Sequence, residues 1–452
     1  MIKKLKSRLF NNDQATKKTT TNAQPQAVQY DAVELGIPMS EISEGAMLVC
    51  KTLQQAGYDG YLVGGCVRDW MMDLHPKDFD VATNATPEQV RPLFKRARII
   101  GRRFKIVHVH HKREMIEVAT YRAAPDKNSQ HHKQSDSGRV LRDNVYGNMQ
   151  EDAQRRDFTI NSLYLDPIAG IVIDYQGGVE DVRQQRLKLI GDPDKRFAED
   201  PVRMLRALRF KAKLGFEIPD HLDDLIEKHK HHFSEVSNAR LFDETFKLFH
   251  HAHAVESWET LEEHGFIDIL FPMTSRAIDR DLTVEDFIFL ALENTDRRVG
   301  QGKPVIPAYF FAVILWHVYL HERENIANLA RGKEGVYRAA EKVFAKQYPV
   351  IAIPKRVSGV VIEIWDMQWH LEMRRVKSID GLLENRRFRA AYDFMLLRES
   401  IGEIESEVPQ WWTKIQHQDE AGKRAMVQAL PRPKPKRGGR RRRPRKDTSS
   451  DN

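Results

Sequence analysis

The chain has 452 residues, of which 41% are hydrophobic and 30% charged, with a formal net charge of +8 and two cysteines. This length is sufficient for about three domains with buried cores. No run of about 18 apolar residues exists, which argues against a transmembrane helix, and the first residues lack the apolar segment of a signal peptide. Two cysteines, Cys50 and Cys66, are too few for a disulfide framework, and they show no zinc-ligand spacing. We therefore expect the protein to be located in the reducing cytoplasm.

The net charge is concentrated near the C-terminus. Ten basic residues and no acidic ones lie between positions 432 and 446, so the rest of the chain carries −2. The Pro, Gly and Arg composition predicts a disordered tail over residues 416–452. Clustered arginines favour RNA binding, which we assign to Arg440, Arg441, Arg442 and Arg443. The alternative is a tail that only increases solubility.

Residues 1–36 are predicted to form a flexible extension, with a short amphipathic helix touching a membrane surface as the alternative. Short helices and strands then alternate. In chain order, the pattern predicts a helix over 40–57, a strand over 61–63, a helix over 67–74, a strand over 78–83, a helix starting at 86–87, and strands over 98–101, 104–110 and 114–122. The polar stretch 123–148 predicts a long surface loop. From about residue 195 to 412, apolar residues recur at helical spacing.

The first chemically informative feature is a double glycine between a predicted strand and helix. Gly64 and Gly65 allow the backbone to approach a phosphate closely, and Arg68 adds a guanidinium that can hold phosphate oxygens. The alternative is an ordinary tight turn between a strand and a helix.

Two carboxylates follow about ten residues later. Asp78 and Asp80 are two positions apart on a predicted strand, so their side chains should share one face. Like charges on one face are unfavourable unless cations bridge them, and Mg²⁺ prefers such oxygen ligands. The alternative is a pair of solvated aspartates. Glu117, on a nearby predicted strand, is either a third carboxylate of this site or part of that strand's polar face.

Two further blocks combine arginine with aspartate. Arg155, Arg156 and Asp157 precede a short apolar segment; the arginines can bind a triphosphate or sugar, and Asp157 lies beside the metal site or caps a helix. Asp200 and Arg203 are three positions apart and are predicted to lie on one helix face. This pair matches the donor and acceptor pattern of adenine and cytosine but not of guanine or uracil. The alternative is a simple salt bridge at a helix start.

Five stretches within residues 62–210 resemble the class II template-independent nucleotidyltransferases, the family of bacterial CCA-adding enzymes and poly(A) polymerases. They read LVGGCVRD, KDFDVATNATPEQV, RRDFTINSLYLD, GGVEDVRQQRLKLIGDP and EDPVRMLRALRF, in the family's order. The resemblance implies an α+β chain: a polymerase-β-like head with a small mixed sheet over 37–190, an all-helical neck over 191–255 and a helical body over 256–415.

The resemblance also implies roles for individual residues. Asp78 and Asp80 are expected to hold two Mg²⁺ or Mn²⁺ ions, and Asp157 matches a residue implicated in the polyadenylating branch. Asp200 and Arg203 form the nucleotide template, assisted by Arg206. Arg240 and Glu244 are expected to brace the neck. Segment 99–110 resembles the signature of the polyadenylating branch, and its Arg102 and Arg103 are expected to contact RNA.

The expected activity is therefore template-independent addition of AMP from ATP to RNA 3′ ends, with release of pyrophosphate and promotion of RNA decay. The expected partners are mRNA, regulatory RNA, decay intermediates and the RNA-degradation machinery, without stable membrane insertion. The alternatives are CCA addition to tRNA and non-catalytic RNA binding. A metal-dependent nuclease would leave the Asp200 and Arg203 pair without a role.

Overall fold

The computed structural model describes residues 26–101, 104–123, 132–134, 140–143, 145–326 and 333–430, with no side chains described at 132–134 and 140–143. Arg102, Arg103 and the arginines at 440–443 lie outside these residues, so their contact with RNA stays a prediction. The chain divides into two compact units. Unit 1 comprises residues 1–211 and 215–230, and unit 2 comprises residues 212–214 and 231–452.

Unit 1 is built around a mixed sheet. Its strands are β1 (Val28–Asp31), β2 (Tyr61–Val63), β3 (Asp80–Thr83), β4 (Ala97–Ile100), β5 (Ile106–His111), β6 (Glu114–Thr120), β7 (His132–Gln134), β8 (Val140–Asp143), β9 (Leu163–Asp166) and β10 (Ile171–Asp174). Eight strands form one sheet in the order β1-β10-β9-β2-β3-β6-β5-β4, and β7 pairs with β8. β3 and β6 run parallel, whereas the other neighbours are antiparallel.

The helices of unit 1 include several that begin at a residue whose side chain caps the helix. The helices of this unit are α1 (Glu44–Gln55), α2 (Gly65–Met71), α3 (Pro87–Val90), α4 (Met149–Arg155), α5 (Gly178–Arg183), α6 (Pro193–Glu199), α7 (Val202–Leu214) and α8 (Asp220–His229), with the last three residues of α7 assigned to unit 2. Thr86 and Gln89 form a capping box at α3, and Asn148 and Glu151 form another at α4. Satisfying these backbone groups locally fixes where each short helix begins.

Several predicted bounds are wrong. The first long helix begins at Glu44 because Ser43, not Ser40, accepts from the Ala46 N–H. The strand predicted from 78 begins at Asp80, where pairing with β2 and β6 begins. The predicted loop over 123–148 contains the β7–β8 pair. Part of the predicted N-terminal extension forms β1, since Val28–Asp31 pairs with β10 at the sheet edge.

Unit 2 is helical, as its apolar spacing predicts. Its helices are α9 (Asn238–Phe249), α10 (Ala254–Glu263), α11 (Phe266–Leu270), α12 (Pro272–Ile278), α13 (Thr283–Gly300), α14 (Pro307–Ile314), α15 (Trp316–Glu324), α16 (Lys333–Gln347), α17 (Lys355–Met373), α18 (Ile379–Leu383), α19 (Phe388–Ser400), α20 (Glu407–Gln416) and α21 (Glu420–Gln428). The predicted start of the disordered tail at 416 is therefore wrong. Asp419 caps α21, and Met426 and Val427 pack against a core that includes Trp412.

Large aromatic side chains form much of the interior of unit 2. Trp258, Trp316, Trp365 and Trp412 are fully buried, and Trp365 stacks on Tyr319 with 4.4 Å between ring centroids. This burial stabilises the unit because each aromatic side chain removes a large apolar area from water. In the described part of the chain, no helix combines the length and the apolar character needed to cross a membrane. Both cysteines are free thiols, as their number predicts.

Candidate active site

The glycine turn and the acidic residues meet at one end of the sheet. Val63, the last residue of β2, pairs with Asp80, the first residue of β3. Asp80 pairs on its other side with Glu117 of β6. The turn at Gly64 and Gly65 follows Val63 directly, so strand register alone places the turn beside both carboxylates. The sequence predicted each feature, and the sheet brings them together.

The turn favours glycine at Gly64 through its backbone conformation and leaves little room for a side chain at Gly65. Gly64 has φ +82° and ψ −127°, a backbone conformation that L side chains rarely adopt. A Cβ atom added at Gly65 would lie 3.3 Å from Nη2 of Arg68. The Gly64 N–H donates to the Leu163 carbonyl oxygen at 3.2 Å, which ties the turn to β9. The turn is therefore held in place by its neighbours as well as by its own conformation.

The three carboxylates disfavour one another's charge. Asp80 keeps solvent contact, yet the protein atoms crowded around it limit its hydration. This desolvation, with the charges of Glu117 and Asp78, raises the pKa of Asp80 to about 6, while Arg156 opposes the shift. Desolvation and Asp78 also raise the pKa of Glu117. Asp78 precedes β3 and is not part of the strand. Its position near Asp80 is therefore set by the segment that leads into β3 and not by the alternation of side chains along a strand.

This donor set suits a hard divalent cation completed by another ligand. Among the described residues, no group of three or more His, Cys, Asp or Glu side chains is arranged to hold an ion. Mg²⁺ is commonly held by one or two carboxylates together with substrate phosphates. Asp78 and Asp80 fit that role because their mutual repulsion would be relieved by a cation. The Oε2 atom of Glu117 instead lies 3.7 Å from Nε2 of His108.

Arg156 is the arginine that acts on Asp80, and a buried network fixes it. Its Nε donates to Tyr164 Oη (3.0 Å) and Asp152 Oδ2 (3.1 Å), and its Nη2 to Asp152 Oδ2 (3.0 Å). The Tyr164 hydroxyl also donates to Asp152 Oδ2 (2.8 Å). Desolvation disfavours the charged guanidinium, but Tyr164 and Asp152 outweigh it and raise the pKa of Arg156. Asp152, which is buried, was not identified from the sequence.

Asn161 connects the glycine turn with the arginine segment. Its Oδ1 accepts from Arg68 Nη1 (2.5 Å), its Nδ2 donates to Asp157 Oδ1 (3.3 Å), and its backbone oxygen accepts from Arg156 Nη1 (3.3 Å). The residue lies in the RRDFTIN stretch, but only the tertiary structure shows its position between three charged side chains. A buried amide normally requires hydrogen-bond partners, but its burial is not visible in the sequence.

Arg68 contacts neighbouring groups of the protein. Its Nε and Nη2 donate to Asp69 Oδ1 at 2.9 and 2.5 Å, its Nη1 is taken by Asn161, and its guanidinium lies 5.2 Å from the ring centroid of Phe210. The side chain is buried. These contacts support a bracing role for Arg68 at the turn, and its contact with phosphate stays a prediction.

A group of arginines carries incompletely compensated positive charge. Desolvation, followed by repulsion from Arg122, Arg196 and Arg203, lowers the pKa of Arg155 to about 9. Desolvation and Arg196 likewise lower the pKa of Arg203. Arg196 is fixed by donating from Nη2 to the backbone oxygens of Arg155 (2.9 Å) and Arg156 (2.5 Å). Such a group would be stabilised by an anion.

Asp157 belongs with helix α7. Its Oδ2 lies 2.7 Å from Nη2 of Arg206, and its Oδ1 accepts from the Phe158 N–H at 2.8 Å. Burial opposes ionisation, but Arg206, this N–H and Asn161 lower the pKa of Asp157. The charges that shift Asp80 do not include Asp157, so the structure groups Asp157 with Arg206 rather than with the acidic pair.

The predicted nucleotide-selecting pair spans the junction of two helices. Asp200 is the C-cap that follows α6, and α7 begins at Val202, so the expectation that both residues lie on one helix is wrong. Pro201, as N-cap, separates the two helices. The Asp200 carbonyl accepts from the Arg203 N–H at 3.0 Å, and Asp200 acts electrostatically on Arg203. The turn thus keeps the pair together. Arg203 Nη1 donates to the Arg196 oxygen at 2.6 Å.

The predicted bracing residues lie on α9 in unit 2. Arg240 donates its backbone N–H to the Ser237 oxygen at 2.9 Å. Glu244 accepts from Lys247 Nζ at 3.0 Å. Their proposed bracing of the neck stays a prediction.

Comparison with known proteins agrees with these features. Three family models match: "Poly A polymerase head domain" at residues 60–188, "Probable RNA and SrmB- binding site of polymerase A" at 215–278, and "Polymerase A arginine-rich C-terminus" at 331–447. Poly(A) polymerase I of Escherichia coli O6:H1 is 39% identical over 435 residues, which is 94% of this chain and 93% of that protein.

CCA-adding enzymes are similar over a smaller region. That of Lactobacillus helveticus is 36% identical over 203 residues, 45% of this chain and 49% of its own length. The solved Bacillus stearothermophilus CCA-adding enzyme in complex with CTP shares the fold, with a TM-score of 0.51 and 23% identity over 79% of this chain and 76% of that chain. The α+β architecture is thereby confirmed. The chain belongs to the bacterial poly(A) polymerase I family of template-independent RNA nucleotidyltransferases.

Proposed function

We propose that this protein transfers AMP from ATP to the 3′-hydroxyl of RNA and releases pyrophosphate. The observation that carries the proposal is similarity to poly(A) polymerase I over 94% of the chain, whereas similarity to the Lactobacillus helveticus CCA-adding enzyme covers 45%. Segment 99–110 and the ten basic residues between 432 and 446 point to the same branch. CCA addition is the second candidate, since the donor pattern of Asp200 and Arg203 fits cytosine as well as adenine.

The acidic side of the site would hold the metal ions. Asp78 and Asp80 are the proposed ligands, and two bound Mg²⁺ ions would supply charge neutralisation at the phosphates and a lower pKa for the attacking hydroxyl. Glu117 adds negative charge beside Asp80 and so favours cation uptake. The sheet fixes the spacing of Asp80 and Glu117, which keeps this charge in place before substrate arrives.

The basic side would bind the nucleotide. Arg155 and Arg156 are proposed to contact the triphosphate, because their guanidinium groups are preorganised by the Ala123 oxygen (2.7 Å) and by Asp152. Gly64 and Gly65 would let the phosphates approach the backbone. Asp157 is proposed to act as a positioning residue, since it contacts Arg206 of α7, which would assist the selecting pair.

Base selection is assigned to Asp200 and Arg203. A carboxylate accepts from an exocyclic amine and a guanidinium donates to a ring nitrogen, which admits adenine or cytosine. The incompletely compensated charge near Arg203 supports an additional attraction for the anionic substrate. Choice of adenine over cytosine must then depend on further contacts around this pair.

The proposed experiment incubates the protein and Mg²⁺ with labelled generic RNA and each nucleoside triphosphate separately. Long ladders with ATP alone would support polyadenylation. A stop after three nucleotides, on tRNA lacking its end and with CTP plus ATP, would mean CCA addition instead. Shortened RNA would mean a nuclease, and binding without extension would mean a non-catalytic RNA-binding protein.

RNA 3′ ends of mRNA, regulatory RNA and decay intermediates are the proposed substrates, with delivery to RNA-degradation machinery as the proposed consequence. Deletion of residues 431–452 removes ten basic residues. We expect it to lower the log–log salt slope of RNA binding by several units, since each neutralised phosphate of single-stranded RNA contributes about 0.7. Addition to a short primer at saturating concentration should persist. Equal slopes with and without the tail would contradict its contact with RNA.

A further inference from the structure

Unit 2 contains a cationic cavity that shares no residue with the candidate active site. Its volume is about 430 Å³, within the usual range of about 300–1,000 Å³ for small-ligand pockets. Two separate segments line it: residues 294–309, from the end of α13 to the first turn of α14, and residues 386–396, which include much of α19. Because these segments are distant in sequence, only the fold brings them together.

Positive charge dominates the lining. Six basic side chains and a single carboxylate face the cavity, namely Arg297, Arg298, Lys303, Arg386, Arg387, Arg389 and Asp393. Arg297 and Arg298 lie in the last turn of α13, where the helix dipole favours cations. Arg387 and Arg389 lie at the start of α19, where the dipole disfavours them. Ordinary helix capping therefore explains only one half of this cluster.

Two of the arginines already have acidic partners. Arg389 contacts both carboxylate oxygens of Asp393, at 3.0 and 2.9 Å, and Arg387 Nε lies 3.2 Å from Glu363 Oε2. For Arg297 and Arg386, the described side chains provide no acidic partner within 4.0 Å. Both residues are exposed to solvent at the cavity. The cluster can thus accept anionic charge without breaking an existing ion pair.

An apolar surface completes the cavity. Ile306, Tyr309 and Leu396 line it together with the basic residues. The Tyr309 ring packs edge-on against Phe394, with 6.3 Å between centroids, which restrains its orientation. Arg298 Nε donates to the Pro304 oxygen at 2.9 Å and so fixes the loop before Ile306. Basic groups next to a restrained aromatic ring are typical of surfaces that bind single-stranded nucleic acid.

We propose that this cavity binds one nucleotide of the RNA strand, with its phosphate at Arg297 and Arg386 and its base against Ile306, Tyr309 and Leu396. The proposal rests on RNA being the substrate in the proposed function. It adds a second RNA contact, in unit 2, to those assigned to the basic tail. A free nucleotide offers the same phosphate chemistry, and the test below separates the two sources.

The test compares two double variants of the full-length protein. Arg297→Ala/Arg386→Ala removes the two cavity arginines to which the proposal assigns the phosphate. Arg280→Ala/Arg356→Ala is the matched control, because it removes two exposed arginines of unit 2 that do not line the cavity. The affinity for a labelled oligoadenylate is measured at several salt concentrations without nucleotide, and thermal unfolding checks that each variant is folded.

Losing the contact with this one phosphate should lower the log–log salt slope by about 0.7 and weaken binding about fivefold at 0.1 M salt. The control should bind within about twofold of the wild-type protein, and ATP affinity should be unchanged in both variants. The proposal would be overturned if the cavity variant bound RNA with wild-type affinity. It would also be overturned if the cavity variant bound ATP more weakly but RNA as tightly as the wild-type protein does. If the cavity variant does not fold, Arg297→Lys/Arg386→Lys, which keeps the charge, is compared with Arg297→Gln/Arg386→Gln.

A measurement on the wild-type protein needs no variant. A set of oligoadenylates, each with one 4-thiouridine at a different position, is photocrosslinked to the protein. The crosslinked residues of the protein are then mapped. Adducts within residues 294–309 or 386–396 support the proposal, and adducts confined to other segments overturn it. Polyadenylation of RNA is assayed separately. If the protein extends RNA with AMP but its cavity binds no RNA, only this inference is rejected. If the cavity binds RNA but the protein does not extend it, only the proposed function is rejected.

Discussion

The acidic and basic sides of the candidate active site are built differently. On the acidic side, Asp80 and Glu117 repel one another and the pKa of each is raised. On the basic side, Arg68 donates to Asp69 and Asn161, and Arg156 donates to Asp152 and Tyr164, at distances from 2.5 to 3.0 Å. The carboxylates of the acidic side therefore repel one another until a cation binds, whereas several arginines of the basic side form hydrogen bonds within the protein. Substitutions on the two sides should separate activity from stability.

The largest effect is expected for Asp80→Asn. AMP incorporation should fall about a thousandfold, as when a group that stabilises transition-state charge is lost. The free energy of unfolding should stay constant or rise, because repulsion from Glu117 and Asp78 disappears. Incorporation assays and denaturant unfolding measure the two quantities. Asp73→Asn, at an exposed position with φ +56° that asparagine tolerates, is the control. Substantial activity in Asp80→Asn with Mg²⁺ would contradict the metal assignment.

Arg68→Ala should show the opposite balance. Removing this buried guanidinium leaves Asp69 and Asn161 without their partner, and breaking a buried ion pair costs about 3–5 kcal/mol. Unfolding in urea should reveal this loss. Arg183→Ala removes an exposed arginine of α5 and should change stability by less than about 0.5 kcal/mol. An Arg68 variant with wild-type stability and weakened ATP binding would instead favour the original phosphate-binding role.

Asp157→Asn should have an intermediate effect that depends on pH. Because folding lowers the pKa of Asp157, its ionised form stabilises the protein above the unfolded-state pKa of about 4. This contribution is lost as the pH falls through the folded-state pKa. Losing a buried hydrogen-bonded charge should cost about 1.5–3 kcal/mol at pH 7 and less at pH 3. Urea unfolding at both values measures it, with the exposed Asp224→Asn as control. A pH-independent difference would contradict this account.

Arg203→Ala is expected to have the smallest effect. It should reduce discrimination against GTP and UTP by about 1–3 kcal/mol, the range for a paired base contact, while stability changes little. Relative kcat/KM values for the four nucleotides measure this change, and Arg183→Ala again serves as control. Unchanged discrimination would contradict the role of Arg203 in base selection.

Local sequence predicted much of unit 1. The bounds of β2 and the start of α3 were predicted correctly, because a short apolar run and a Thr-Pro start are local signals. The position of Asp80 relative to Glu117 was left open, because strand pairing joins residues that are distant in the chain. The same limitation applies to Asn161 and Asp152. A buried amide and a buried carboxylate become recognisable only when their partners are known.

The sequence by itself determined the family, the glycine turn, the aspartate pair, the helical character of unit 2 and the basic charge near the C-terminus, because each depends on residue type and local spacing. Only the tertiary structure decided that Arg68 bonds to Asp69 and Asn161, that Asp157 contacts Arg206, and that residues of α13 and α19 line one cationic cavity. The physical reason is that charges interact strongly over a few ångströms. Sequence spacing does not specify that distance for residues on different elements.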